Sequence, residues 1–174
     1  MKTRAINQFI NFFWTIVCFT PVLWYWYAAG WGAWSWIILG ISLIPAFFPD
    51  PLLRRMQLAK TRRGFERLGA KTFRKLTQDG DWAKAATHSA GSTIGNLEGA
   101  EKYLSTIRMY EKFHWICGVF FLLTALHACA NGYWIAGLLV TISNGIFNFA
   151  AIVLQQYNRL RITSALINAR RIRQ

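Results

Sequence analysis

The chain has 174 residues, of which 54% are hydrophobic, 16% aromatic and only 16% charged, and its formal net charge is +13. Soluble domains are about one quarter charged, so this composition favours an integral membrane protein with aromatic side chains at its interfaces. The Lys and Arg residues lie between and after apolar segments, where the expected partner is anionic membrane lipid and not nucleic acid.

Four apolar segments free of Lys, Arg, Asp and Glu predict transmembrane helices at about 9–29, 31–48, 113–130 and 133–154. Each is close to the roughly 17–25 residues that a spanning helix needs. Gly30 joins the first two segments and Asn131-Gly132 joins the last two, and such tight connections indicate two antiparallel helical hairpins. The predicted fold class is therefore all-α, with four transmembrane helices in one membrane domain that covers residues 1–174.

Basic residues are placed asymmetrically along the chain. The N-terminus, the central stretch and the C-terminus are rich in Lys and Arg, whereas the two hairpin loops contain none. The positive-inside rule then predicts a multi-pass protein of the cell inner membrane, with both termini in the cytoplasm.

The central segment 51–112 is predicted to be a cytoplasmic, interfacial linker. Its first part, 51–76, alternates apolar and basic residues as an amphipathic helix in the headgroup plane does. The part 77–96 is rich in Gly, Ser and Ala, and a helical pattern resumes near 97 and continues into the third apolar segment.

Candidate catalytic residues stand where this pattern enters the third segment. Glu111 and His114 are three residues apart and so share one helix face. The histidine could act as general base toward a hydroxyl, with the carboxylate orienting its imidazole. The alternative is an interfacial pair that eases the helix into the headgroups, with Trp115 as an anchor.

A second polar cluster closes the fourth segment. Its predicted substrate-binding residues are Asn148, Gln155, Tyr157, Asn158, Arg159 and Arg161. Asn148 lies about 10 Å inside the membrane from Gln155 at a rise of roughly 1.5 Å per residue. The two arginines could bind a phosphate bidentately, or they could be ordinary positive-inside charge. Asn144 and Asn148 could instead hydrogen-bond between helices.

The remaining histidines and the cysteines predict no further site. His88 lies in a Gly/Ser-containing stretch, and His127 is about 20 Å from His114 along the same helix, near the opposite interface. Cys18, Cys117 and Cys129 have no paired spacing, so neither a disulfide, nor a metal site, nor a tightly bound cofactor is predicted.

A resemblance to a known family rests on three elements of the sequence: Glu111-x-x-His114-Trp115, Asn148 and Gln155-x-Tyr157-Asn158-Arg159-x-Arg161. Over residues 106–161 the chain resembles the glycosyl-4,4'-diaponeurosporenoate acyltransferases, small membrane enzymes of staphyloxanthin-type carotenoid biosynthesis. The resemblance implies transfer of a fatty acyl group to a hydroxyl of a glycosylated terpenoid, with acyl-coenzyme A as one candidate donor. One position departs from the family pattern: Thr106 stands where it has an acidic residue.

Two functions are therefore carried forward. The first is a membrane acyltransferase that acts at the cytoplasmic interface on a glycosylated terpenoid, carotenoid or related lipid. The second is a non-catalytic membrane subunit or a lipid- or carotenoid-binding scaffold, packed against a membrane protein partner.

Overall fold

The computed structural model describes residues 2–76 and 97–172, and every regular element within these two ranges is helical. The first half contains α1 (Lys2–Ala29), α2 (Ala33–Ser42), a 3₁₀ turn (Ile44–Phe47), α3 (Asp50–Arg55), α4 (Arg62–Arg67) and α5 (Ala70–Leu76). The second half contains α6 (Leu97–Ala130), α7 (Trp134–Asn144), a π turn (Gly145–Phe149) and α8 (Ala150–Ile172). The all-α prediction is confirmed for this part of the chain.

Three stretches are long and apolar enough to cross a membrane: Gln8–Ala29, Gly99–Ala130 and Trp134–Asn168. The second predicted segment gives only the shorter apolar stretch Ala33–Phe47. It ends as a 3₁₀ turn because Pro45 supplies no backbone N–H to continue the α-helix. Of the four predicted transmembrane helices, three are therefore supported as candidate spans by their length and composition, and the fourth is not.

The short second segment nevertheless returns alongside α6. Near the start of α2, the Trp34 ring lies 6.0 Å from the ring of His127. Beyond its end, Lys112 Nζ donates to the Ala46 carbonyl at 3.3 Å, and Arg108 pairs with Asp50 at 3.1 Å. We call the end of the bundle that contains Asp50 and Arg108 the basic end.

The opposite end of the bundle, which we call the loop end, carries the two hairpin turns. Gly30 and Gly132 adopt φ angles of +84° and +81°, a left-handed conformation that glycine accommodates without strain. Between the two ends, the core of the bundle packs α1 against α6 and α7, with Trp26, Phe121 and Val140 fully buried.

The crossing of α6 and α7 is close at Gly137. A Cβ atom there would overlap the Cys129 sulfur and would lie 3.2 Å from the Ala125 carbonyl oxygen. Large apolar side chains on the outer faces are exposed, among them Phe12 at 69%, Trp36 at 67% and Leu138 at 61%. An outer surface this apolar suits a bundle surrounded by lipid.

The segment predicted as one amphipathic helix at 51–76 is three short helices. Two of its apolar residues, Leu53 and Phe65, are fully buried within the protein, and Phe65 packs in a cluster with Val153 and Tyr157 of α8. The prediction of a single helix in the headgroup plane is wrong in this respect, because the apolar face is partly covered by α8. The Gly/Ser-rich part of the linker, including His88, lies outside the described residues.

Candidate active site

His114 projects from α6 into a gap between aromatic rings. Its imidazole lies 5.2 Å from the Phe113 ring and 5.3 Å from the Phe147 ring, centroid to centroid. Its Nδ1 atom is 3.3 Å from Oδ1 of Asn148. In the described part of the chain, that amide is the hydrogen-bonding partner of the imidazole.

Asn148 reaches the histidine because it sits in the π turn. A π turn adds about one residue to a helix and often occurs at functional sites. The Asn148 side chain is 1% exposed, and its Nδ2 donates to Oδ1 of Asn144 at 2.9 Å. Asn144 in turn donates from Nδ2 to the carbonyl of Gly118 at 3.1 Å, which returns to α6 one turn after His114.

Glu111 faces a different set of groups. Its side chain is fully buried, and its two carboxylate oxygens accept hydrogen bonds from Gln156 Nε2 at 2.8 Å and from Arg159 Nη1 at 2.6 Å. Among the described residues, no hydrogen bond joins this carboxylate to His114. The residue that contacts the imidazole is Asn148, not the carboxylate one turn away.

The Glu111 cluster also fastens the linker to the bundle. The Oε1 atom of Gln156 accepts from the Leu58 backbone N–H at 2.8 Å, and its Nε2 also reaches the Met56 carbonyl at 3.3 Å. Arg159 Nη2 donates to the Leu53 carbonyl at 3.4 Å. These bonds satisfy backbone groups of α3 and of the irregular stretch after it, so the buried pair has a structural role.

The helices that carry these residues match a known protein family. A family model described as glycosyl-4,4'-diaponeurosporenoate acyltransferase matches residues 49–168, more than half of the chain and all of the residues just described. This chain belongs to the glycosyl-4,4'-diaponeurosporenoate acyltransferase family. The resemblance found in the sequence is confirmed, and the family is one of acyltransferases of carotenoid biosynthesis. No curated protein and no solved structure gives a significant match.

Within this member of the acyltransferase family, the other predicted binding residues occupy unlike environments. Tyr157 is buried, and its hydroxyl donates to Glu66 Oε1 at 3.4 Å. The Arg161 guanidinium is exposed and lies 5.5 Å from the Tyr157 ring centroid. Gln155 and Asn158 are half-buried and share a helix face at a spacing of three residues.

Gln156 is a residue that sequence reasoning missed. The neighbouring Gln155 was singled out instead, although Gln156 is the fully buried member of the pair and the one bonded to Glu111. Its spacing of three residues from Arg159 was the available signal, because it places both side chains on one face of α8.

His127 lies at the loop end, as its separation from His114 predicts. Its Nδ1 atom is 2.5 Å from the Tyr25 hydroxyl, and its ring stacks on Trp26 at 5.2 Å. It therefore belongs to the aromatic packing of the loop end and is separate from the His114 site.

Proposed function

We propose that this protein transfers a fatty acyl group to a hydroxyl of a glycosylated carotenoid or related terpenoid. Membership in the acyltransferase family supports the reaction class. The observation that carries the assignment of the site is the His114–Asn148 contact at 3.3 Å inside the matched region. A histidine oriented by a second polar group is the general form of an activating base in acyl transfer.

In this proposal Nε2 of His114 is the general base. Asn148 Oδ1 accepts from Nδ1–H, and this leaves the lone pair on Nε2 for the hydroxyl proton of the acceptor. Within the described residues Nε2 has no hydrogen-bond partner, so that nitrogen is available to a substrate. The rings of Phe113 and Phe147 place apolar surface on both sides of the imidazole.

The chemical step is an exchange of one acyl linkage for another. The acceptor oxygen loses its proton to Nε2 and attacks the carbonyl carbon of the donor thioester, forming the ester C–O bond. The C–S bond then breaks, and the departing thiolate takes the proton back from the imidazolium. The protein ends unchanged, and no tightly bound cofactor is required.

In this proposal the phosphates of the acyl donor bind Arg161 and not Arg159. Arg159 is 11% exposed and committed to Glu111 and to the Leu53 carbonyl, which leaves little of its guanidinium for a substrate phosphate. Arg161 is exposed on α8, and the arginines of α3 and α4 are also exposed. These charges suit the phosphates of an acyl-coenzyme A, and Gln155 and Asn158 remain candidates for the acceptor.

An oxyanion develops on the donor carbonyl as the acceptor attacks it, and the side-chain amides of Asn148 and Asn158 are two candidate donors to it. Asn148 Nδ2 already donates to Asn144, whereas Asn158 is half-buried on α8. Asn158, however, lies ten residues after Asn148, about 15 Å further along the helix, which is too far from His114 for a direct contact with that oxyanion. Neither amide is therefore both free and close enough to be given this role. The basic end would face the cytoplasm in the inner membrane, with both termini on that side, since its surface carries the Lys and Arg residues.

Replacement of His114 tests this function. The variant His114→Ala should lose acyl transfer by about 10²–10⁴-fold, the usual contribution of a general base. Mass spectrometry of pigments from cells that make the glycosylated acceptor would measure the ester formed per amount of membrane-inserted protein.

His127→Asn is the matched control, because it changes the same residue type on the same helix at the loop end. It should keep its activity provided that it is inserted normally. Wild-type ester levels in the His114→Ala cells would overturn the proposed mechanism.

A scaffold function remains the second candidate because of the residue at position 106, which is Thr106 in this chain. It replaces the acid of the family pattern, and its hydroxyl donates to the Lys102 carbonyl of its own helix at 3.3 Å. Eight residues of helix put this position about 12 Å from His114, too far for an acid there to touch the imidazole directly. Purified protein that retains pigment but turns over no thioester would favour the scaffold.

A further inference from the structure

We propose that Asn144 is a positioning residue for His114, acting through Asn148 to fix which imidazole nitrogen carries the proton. This inference rests on the proposed function for its catalytic consequence, but the proton position is a property of the resting protein. It follows from the direction of three consecutive hydrogen bonds, beginning at a group whose role is not ambiguous.

The unambiguous group is the Gly118 carbonyl, which can only accept. Asn144 must therefore present its NH₂ group to Gly118, as the 3.1 Å contact has it. The oxygen of Asn144 then necessarily faces the other way, toward Asn148, and can only accept. Asn148 must therefore donate this hydrogen bond from its own NH₂ group.

The same reasoning carries the orientation to the histidine. With its NH₂ group directed at Asn144, Asn148 offers Oδ1 to the imidazole at 3.3 Å. A carbonyl oxygen accepts only, so Nδ1 of His114 must bear the hydrogen. The lone pair is left on Nε2, the nitrogen that faces substrate in the proposed reaction.

Geometry makes the relay closed and rigid. It leaves α6 at His114, crosses to the π turn and returns to α6 at Gly118, four residues later. A methyl group at Gly118 would stand 3.6 Å from Asn148 Cβ and 3.7 Å from Asn144 Oδ1, so the two elements are in van der Waals contact. Asn148 is 1% exposed, so water has little access to compete for its amide.

The proton position can be measured directly. In protein labelled with ¹⁵N-histidine and held in lipid nanodiscs, the Nδ1 and Nε2 shifts of His114 distinguish the two neutral tautomers; His114→Gln assigns the signals. Wild-type protein should show hydrogen on Nδ1. Asn144→Leu, which cannot direct the Asn148 amide, should show a mixture, whereas Thr141→Val on the same helix should match the wild type.

Kinetics supply the second readout. Asn144→Leu should lower kcat about tenfold, a part of the contribution of the base, with little change in KM. Introducing Asn148→Asp removes the need for orientation, because a carboxylate has acceptors only. The Asn144→Leu change should therefore cost much less kcat in the Asn148→Asp background than in the wild-type background.

The outcomes separate this inference from the proposed function. Hydrogen on Nε2 in the wild type, or an unchanged tautomer in folded Asn144→Leu protein, overturns the role of Asn144 whatever the activity. A tautomer change together with full activity of His114→Ala would keep the relay and remove the general-base function. Equal kcat losses in the two backgrounds would show that Asn144 acts only as packing.

Discussion

Replacing Arg159 should destabilise the protein far more than replacing an arginine in a surface ion pair. The Arg159→Met variant leaves the Glu111 carboxylate, which is fully buried, without its charged partner, while the hydrogen bond from Gln156 remains. Removing one member of a buried ion pair costs about 3–5 kcal/mol. By contrast, the Arg108–Asp50 pair is 40% and 45% exposed, and such pairs contribute about 0–1 kcal/mol.

A double-mutant cycle isolates the interaction itself. Glu111→Leu leaves Arg159 without its carboxylate, but combining it with Arg159→Met removes both charges, while Gln156 keeps its bond to the Met56 carbonyl. The double variant should then be more stable than the sum of the single losses predicts, by at least about 2 kcal/mol.

Unfolding by SDS in mixed micelles, followed by fluorescence of the nine tryptophans, measures these free energies. Arg108→Met is the matched control. The structural role of the Glu111–Arg159 pair would be refuted if Arg159→Met cost no more than Arg108→Met, or if the cycle were additive.

Two further predictions concern packing and pH. Gly137→Ala should destabilise the protein by about 1–3 kcal/mol, because the added methyl overpacks the α6–α7 crossing. Gly40→Ala is the control: no atom lies within 4 Å of its added methyl, so it should be neutral or slightly stabilising. Thermal midpoints in detergent measure both effects, and equal midpoints for the two variants would contradict the close crossing. The hydrogen bond from Lys71 holds the pKa of Glu66 below its ordinary value of 4.5. The stabilisation that this carboxylate gives the folded protein is therefore fully present above pH 4.5, and it is lost as the pH falls through the lower folded-state pKa. Thermal midpoints of Glu66→Gln should lack this acid-side decline, and parallel pH curves for variant and wild type would count against it.

Much of the fold could be predicted from the sequence because apolar length and hairpin glycines are local signals. Gly30 and Gly132 stand at the two turns, and the helical pattern from 97 onward does continue through His114. The shortness of α2 escaped prediction because hydropathy counts apolar residues without regard to whether their backbone is α or 3₁₀. The burial of Leu53 and Phe65 within the protein escaped prediction for a related reason: an apolar face gives the same sequence pattern whether lipid or protein covers it.

The sequence predicted that several of the site residues lie close together, but it did not predict which of them form hydrogen bonds with one another. Glu111, His114, Asn148 and Arg159 do lie in hydrogen-bonded clusters, yet Gln156 occupies the place expected for Gln155. Eleven residues make about three α-helical turns, which would align Gln155 with Asn144. The π turn at Gly145–Phe149 adds about one residue to that span and moves the aligned position to 156. No periodicity in the sequence predicts the extra residue of a π turn.

The short return segment Ala33–Phe47 also bears on how a polar acceptor could reach His114. Its α and 3₁₀ portions together rise about 23 Å, against a hydrocarbon thickness of about 30 Å. Its far end meets Lys112, two residues before His114. The difference of about 7 Å would be accommodated by local thinning of the bilayer or by flanking residues that extend to the headgroups. Under the proposed function, such thinning would bring the headgroup layer closer to the imidazole and would let a sugar approach the base from water while its terpenoid chain stays in the lipid.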